Sequence, residues 1–236
     1  MASTLILIHG AWHGAWCWQR LAPLLEAQGR RVVAPDLPSM GGDPTPASEV
    51  SLDSWARFVA DLCEREGDCV LVGHSRAGAV ISRAAELAPG AIRRLVYLSA
   101  YLLSDGESVA AEARRDTDSL IAPNMIPAAR GTCLLRPEVL REAFYGACDE
   151  ATATQAIAQL TPEPLKVLAA PVRVSAAGFG RVPRSYIETL RDRAVTLPAQ
   201  RRMQAALPCP QVFTLDTDHS AFLSQPEALA RILISI

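Results

Sequence analysis

Short apolar runs alternate along this chain with longer stretches whose apolar positions recur every three or four residues. The first pattern marks buried strands and the second amphipathic helices. Strands are predicted over Thr4–Ile8, Arg31–Ala34, Cys69–Val72, Leu95–Leu98, Ser185–Leu190 and Gln211–Leu215. Helices are predicted over Trp18–Gln28, from an N-cap at Ser51 to Glu66, and over Ala77–Leu87, Leu197–Leu207 and Pro226–Ile234. Trp55, Phe58, Val59 and Leu62 share one face of the second of these. Strands alternating with helices throughout predict an α/β fold with a doubly wound, mainly parallel sheet.

Between residues 104 and 170 the pattern changes. Prolines at 123, 127, 137, 162 and 164 cut the stretch into pieces, and short helices are predicted at Pro137–Tyr145 and Asp149–Leu160. No strand signal stands out. The expectation is one domain over residues 1–236 with a small helical cap inserted at about 104–170, lying over the sheet.

Composition narrows the function classes. Half of the 236 residues are hydrophobic, enough for one domain with an ample core. Twenty-three basic against 25 acidic residues leave a net charge of −2, no footprint for nucleic acid or an anionic membrane. No apolar run approaches membrane-spanning length, and a strand at Thr4–Ile8 leads to the expectation of no signal peptide. Cysteines 17, 63, 69, 133, 148 and 209 lack C-x-x-C spacing, as expected of reduced thiols in a cytoplasmic protein.

The chemistry gathers around Cys69-Val70-Leu71-Val72-Gly73-His74-Ser75-Arg76-Ala77-Gly78. A buried strand turning into a helix at a serine is the arrangement of a nucleophile elbow. Glycines two before and three after Ser75 leave room for the neighbouring strand and helix. The turn exposes the hydroxyl at a helix N-terminus, where free N–H groups can receive a developing oxyanion. Ala79-Val80 after Gly78 excludes a P-loop, and no G-x-G-x-x-G occurs in this turn.

A serine hydroxyl needs a base in contact and an acid to orient that base. In parallel sheets such groups collect at the C-terminal ends of strands. The strand ends offer Ser75, then Asp192, then His219, and that is the order of a Ser-Asp-His triad on this fold class. Asp105 is the alternative acid, while Asp216 and Asp218 stand too close in sequence to turn back onto the His219 ring. An alternative for Asp192 is a surface acid paired with Arg191 or Arg193. The oxyanion donors are expected to be the N–H groups of Ala11 and Arg76, with Gly10, Trp12 and Arg76 bordering the substrate pocket. His9 and His13 are four apart, but they span a Gly-interrupted loop without a nearby Glu or Cys, so no metal site is expected.

Three groups of segments carry a family resemblance. Leu7-Ile8-His9-Gly10-Ala11-Trp12-His13-Gly14-Ala15-Trp16, Pro23–Ala27 and Ala34–Leu37 open the chain, and Val72-Gly73-His74-Ser75 forms the elbow. Phe179–Ile187 and Asp218-His219 close it. Together they resemble the small α/β-hydrolases of the plant methyl-salicylate esterase and hydroxynitrile lyase family and their bacterial relatives. In that family the acid follows the Tyr-Ile strand, and this implies Asp192. The lyases carry a threonine at the position of Gly10 and a lysine directly after the catalytic histidine, where this chain has Ser220. The resemblance implies a cofactor-free serine carboxylesterase acting on a small-molecule ester. A carbon–carbon lyase and a non-catalytic binder of small ligands on the same fold are the alternatives, and a homodimer is left open. The Arg76 side chain has two readings: pairing with an acid outside the pocket, or meeting an anionic group of the substrate.

Overall fold

The computed structural model describes residues 3–236. In chain order it contains β1 (Leu5–Ile8), α1 (Ala22–Glu26), β2 (Val32–Val33), α2 (Leu52–Glu66), β3 (Cys69–His74), α3 (Ala77–Leu87) and β4 (Ile92–Leu98). Then follow α4 (Val109–Arg115), β5 (Met125–Pro127), β6 (Thr132–Leu135), α5 (Pro137–Phe144), α6 (Glu150–Ile157), β7 (Glu163–Pro164) and α7 (Leu165–Ala169). The chain closes with β8 (Arg184–Thr189), α8 (Leu197–Ala206), β9 (Gln211–Leu215), α9 (Ala221–Ser224) and α10 (Pro226–Ser235).

Six strands form one sheet in the order β2-β1-β3-β4-β8-β9, and every neighbouring pair is parallel. β1 and β3 are buried along their whole length, which explains their unbroken apolar runs. Helix α2 packs on α3, and α1 packs on α10. Right-handed crossovers put these pairs on opposite faces, because the chain steps one way across the sheet for α1 and the other way for α2 and α3. Helix α2 starts at a capping box: Ser51 Oγ accepts from Ser54 N–H at 3.0 Å, and Ser54 Oγ accepts from Ser51 N–H at 2.8 Å. Since all six strands run the same way, the loops after β1, β3, β8 and β9 emerge at one edge.

Two elements differ from expectation. The first predicted helix is a 3-10 turn at Ala15–Trp18 followed by the five-residue α1. Pro23 has no N–H for a bond back into the preceding turn, so the helix restarts beside it. The insertion is not purely helical either. It carries a second sheet, antiparallel, in the order β5-β6-β7. These strands are three, four and two residues long, too short to show an alternating pattern, and Pro127 and Pro164 end two of them.

Candidate active site

The elbow is built as tightly as its glycines suggest. Ser75 sits at φ 55°, a left-handed conformation that costs a non-glycine residue about 1–3 kcal/mol. The backbone around it is held: Ser75 N–H donates to Leu98 O at 3.2 Å, and Ser75 O accepts from Gly78 N–H and Tyr101 N–H, each at 3.0 Å. A Cβ at Gly73 would lie 2.9 Å from Ile81 Cδ1 and 3.0 Å from Ala77 O in the following helix. A Cβ at Gly78 would collide with the Tyr101 carbonyl.

Asp192 and His219 meet at this edge of the sheet. His219 Nδ1 lies 2.7 Å from Asp192 Oδ2, and both side chains are sealed from solvent. The carboxylate is itself fixed: Oδ1 accepts from the N–H groups of Ala194 at 2.7 Å and Val195 at 2.9 Å, and Oδ2 accepts from Thr189 Oγ1 at 2.9 Å. An acceptor this well oriented takes the Nδ1 proton of His219 and leaves Nε2 as the free base. His74, next to the serine, donates through Nε2 to His219 O at 3.0 Å, and the two rings lie 4.3 Å apart. The Ser75 hydroxyl borders a cavity and has no hydrogen-bond partner among the described residues.

The alternative acids lie elsewhere. Asp105 is exposed, 4.0 Å from Arg173, and accepts from Val174 N–H. Asp216 pairs with Arg191 at 3.0 Å, and Arg193 pairs with Glu142 at 3.4 Å, so neither flanking arginine takes Asp192. Asp218 is buried, but it accepts from Ser220 N–H, Ser224 Oγ and Ala147 N–H and so shapes the loop that presents His219.

Two N–H groups, one beside Ser75 and one in the loop after β1, are left without acceptors. Among the described residues, neither Ala11 N–H nor Arg76 N–H has an intramolecular partner. Gly10 leaves room for the elbow's side chains: a Cβ there would lie 2.8 Å from His74 Nδ1 and 3.0 Å from Ser75 Cβ.

Sequence reasoning missed Glu163. It is fully buried on β7, 3.0 Å from Arg76 Nε through Oε1, and its Oε2 accepts from Trp12 N–H at 3.2 Å. The Nε approach is a charge contact, not an aligned hydrogen bond, and Arg76 Nη1 has no partner. Arg76 Nη2 donates to Gly10 O at 3.0 Å, and the guanidinium stacks over Trp55 at 4.4 Å. Burial pushes the Glu163 carboxyl above its ordinary pKa, a rise that Arg76 opposes, and burial pulls the Arg76 guanidinium below its own. A cation at the start of α3 opposes the helix dipole, and Glu163 supplies the compensating charge.

The two histidines of the loop after β1 are held by hydrogen bonds on both ring nitrogens. His9 Nε2 accepts from Leu37 N–H at 3.1 Å, so its Nδ1 is the donor to Gly10 O at 2.9 Å. His13 Nδ1 lies 2.8 Å from Ala11 O and donates to it, leaving Nε2 to accept from Tyr145 OH at 2.8 Å. Burial lowers both pKa values to about 3. With both nitrogens of each ring engaged, neither is free for a metal. Among the described residues no group of three His, Cys, Asp or Glu side chains could hold one.

The cavity above Ser75 has a volume of about 370 Å³. Val109, Ala113, Ile121, Phe144, Leu168 and Val195 make its walls apolar, and the exposed Arg114 stands at its edge. Trp12 and Arg76 border it. Gly10 does not: its missing side chain would point at His74 and Ser75, not into the cavity.

Comparison with known proteins agrees with this architecture. The Alpha/beta hydrolase family pattern matches residues 5–232. A pyrethroid hydrolase of Sphingobium wenxiniae is 35% identical, with 97% of this chain and 85% of that protein covered. A putative chloroplastic methylesterase of Arabidopsis thaliana is 30% identical over 98% of this chain, which spans 63% of that relative's length. Among solved structures, a pyrethroid hydrolase from Sphingobium faniae superposes with a TM-score of 0.88 at 32% identity, covering 100% of this chain and 97% of the other. A methylesterase from Arabidopsis gives 0.84 at 28% identity, covering 99% and 98%. The chain belongs to the Alpha/beta hydrolase family and is an enzyme of its carboxylesterase type.

Proposed function

We propose that this protein is a serine carboxylesterase that cleaves a small apolar ester through an acyl-enzyme. The observation that carries the reading is the sealed Asp192–His219 pair at the sheet edge that also holds Ser75. Ser75 Oγ attacks the ester carbonyl carbon, and its proton passes to His219 Nε2. Asp192 holds the ring with Nδ1 protonated and stabilises the imidazolium. The carbonyl electron pair becomes an oxyanion between the Ala11 and Arg76 N–H groups. Collapse of the tetrahedral intermediate breaks the ester bond, and His219 returns the proton to the leaving alkoxide. Water activated by the same histidine then frees the acid and restores Ser75. The Ser75–His219 hydrogen bond forms as substrate enters, since such bonds commonly tighten only in the complex.

The apolar cavity supports an ester whose buried part is hydrophobic, and the pyrethroid hydrolase and methylesterase relatives support the reaction type. A cytoplasmic setting is part of the proposal, supported by six free cysteines. The lyase alternative is disfavoured by Ser220, which offers departing cyanide no cation. An activated ester tests the reading: a burst of alcohol approaching one equivalent per chain is expected, and turnover unchanged in Ser75→Ala would refute it.

A further inference from the structure

Arg76 and Glu163 hold the backbone around Ala11 together with His9, which also donates to Gly10 O at 2.9 Å, and His13. Arg76 Nη2 donates to Gly10 O, and that carbonyl belongs to the same peptide unit as the Ala11 N–H. A trans peptide points its C=O and N–H in opposite directions, so fixing the carbonyl fixes the aim of the N–H. Glu163 Oε2 accepts the next N–H along, that of Trp12, and His13 Nδ1 donates to Ala11 O in that same second unit. Both peptide units flanking Ala11 are therefore gripped by side chains. The Arg76 backbone N–H, also without an intramolecular acceptor among the described residues, is the other proposed oxyanion donor.

The Glu163 end of this grip belongs to the cap. Glu163 lies on β7, where Cys133 on β6 is its register partner. Trp12 is tied to the same region twice more: its Nε1 donates to Cys133 O at 3.1 Å, and its carbonyl accepts from Thr161 N–H at 2.8 Å. A buried ion pair contributes little stability compared with apolar residues of the same volume, so packing alone does not account for one here.

We propose that Arg76 and Glu163 are positioning residues that aim the Ala11 N–H at the oxyanion, so that the oxyanion hole is complete only when cap strand β7 is seated. The proposal rests on the serine-esterase reading.

A matched pair of inhibitors separates positioning from general damage. A trifluoromethyl ketone takes Ser75 Oγ onto its carbonyl carbon. Its carbonyl electron pair becomes an oxyanion, and the serine proton goes to His219. The corresponding methyl ketone binds without addition. Arg76→Met combined with Glu163→Gln removes both charges, leaves no lone buried ion and keeps an acceptor for Trp12 N–H. In this double variant, trifluoromethyl ketone affinity should fall about 30-fold or more, as for a displaced oxyanion donor. Methyl ketone affinity should stay within about 3-fold of wild type. If the double variant does not fold, Glu163→Gln alone carries the comparison, with an expected loss of about 3- to 10-fold confined to the trifluoromethyl ketone. Equal weakening of both ketones, or of neither, overturns the proposal. If the wild-type protein binds the two ketones alike, the esterase reading fails and the proposal falls with it.

Discussion

Asp192 Oδ2 and His219 Nδ1 lie 2.7 Å apart with both side chains sealed from solvent, and four further donors hold the carboxylate in place. An asparagine at 192 keeps the shape but can turn its NH₂ toward Nδ1, which then must accept and give up its proton. The Nε2 position becomes a donor and can no longer act as the base. Asp192→Asn should therefore lower kcat by about 10³-fold or more with the fold intact. Asp105→Asn, at an exposed site beside Arg173, should leave turnover near wild type. Kinetics of the two variants side by side check this, and the opposite ranking would remove Asp192 from the assignment.

The elbow makes a stability prediction. A methyl group at Gly78 meets a backbone carbonyl, that of Tyr101, which cannot turn aside as a side chain can. At Gly90 nothing lies within 4 Å of the added atom. Gly78→Ala should cost about 1–3 kcal/mol in urea unfolding, and Gly90→Ala should change stability by less than about 1 kcal/mol. Equal effects would mean that the close approach at Gly78 is not real.

Much of this site was legible because it is local. Strand, glycine, serine and glycine sit within ten residues, and the strand ends offer Ser75, Asp192 and His219 in order, with Asp105 as the other acid. Glu163 was invisible for the opposite reason. It stands 87 positions from Arg76 by sequence number, in an insertion whose strands are too short to read, and a buried acid there has no pattern of its own. The first helix misled for a simpler cause: apolar spacing continues through Trp18–Gln28, while Pro23 breaks the hydrogen bonding beneath it.

Three buried neutral histidines make the fold acid-sensitive. Burial lowers His9 and His13 to about 3, and His74 lies well below its ordinary value for the same reason. Unfolding restores each to about 6.5, so between these values the unfolded chain binds more protons than the native one. Stability from these residues is thus present above about pH 6.5 and is lost as pH falls toward 3. Urea unfolding at closely spaced pH values between about 6 and 5 should report an uptake by these groups that rises from about two to nearly three protons on unfolding. An uptake below one proton would contradict their neutral burial.

Ala113 lines the cavity that the proposed ester would enter. Replacing it with phenylalanine should reduce kcat/KM for a bulky aromatic ester by about 10-fold or more, in the range expected when a hydrophobic pocket loses space. An acetyl ester of similar reactivity should change by less than about 3-fold, because it does not reach the filled volume. Equal losses on both esters would place substrate outside this cavity.

Ser75 is expected to carry the acyl group during turnover. An activated ester mixed with the protein, quenched within the first turnover and digested for peptide mass mapping, tests it directly. One acyl group is expected on the peptide containing Ser75, and none on the same peptide from Ser75→Ala. An acyl group on any other residue, with Ser75→Ala still turning over at the wild-type rate, would contradict it.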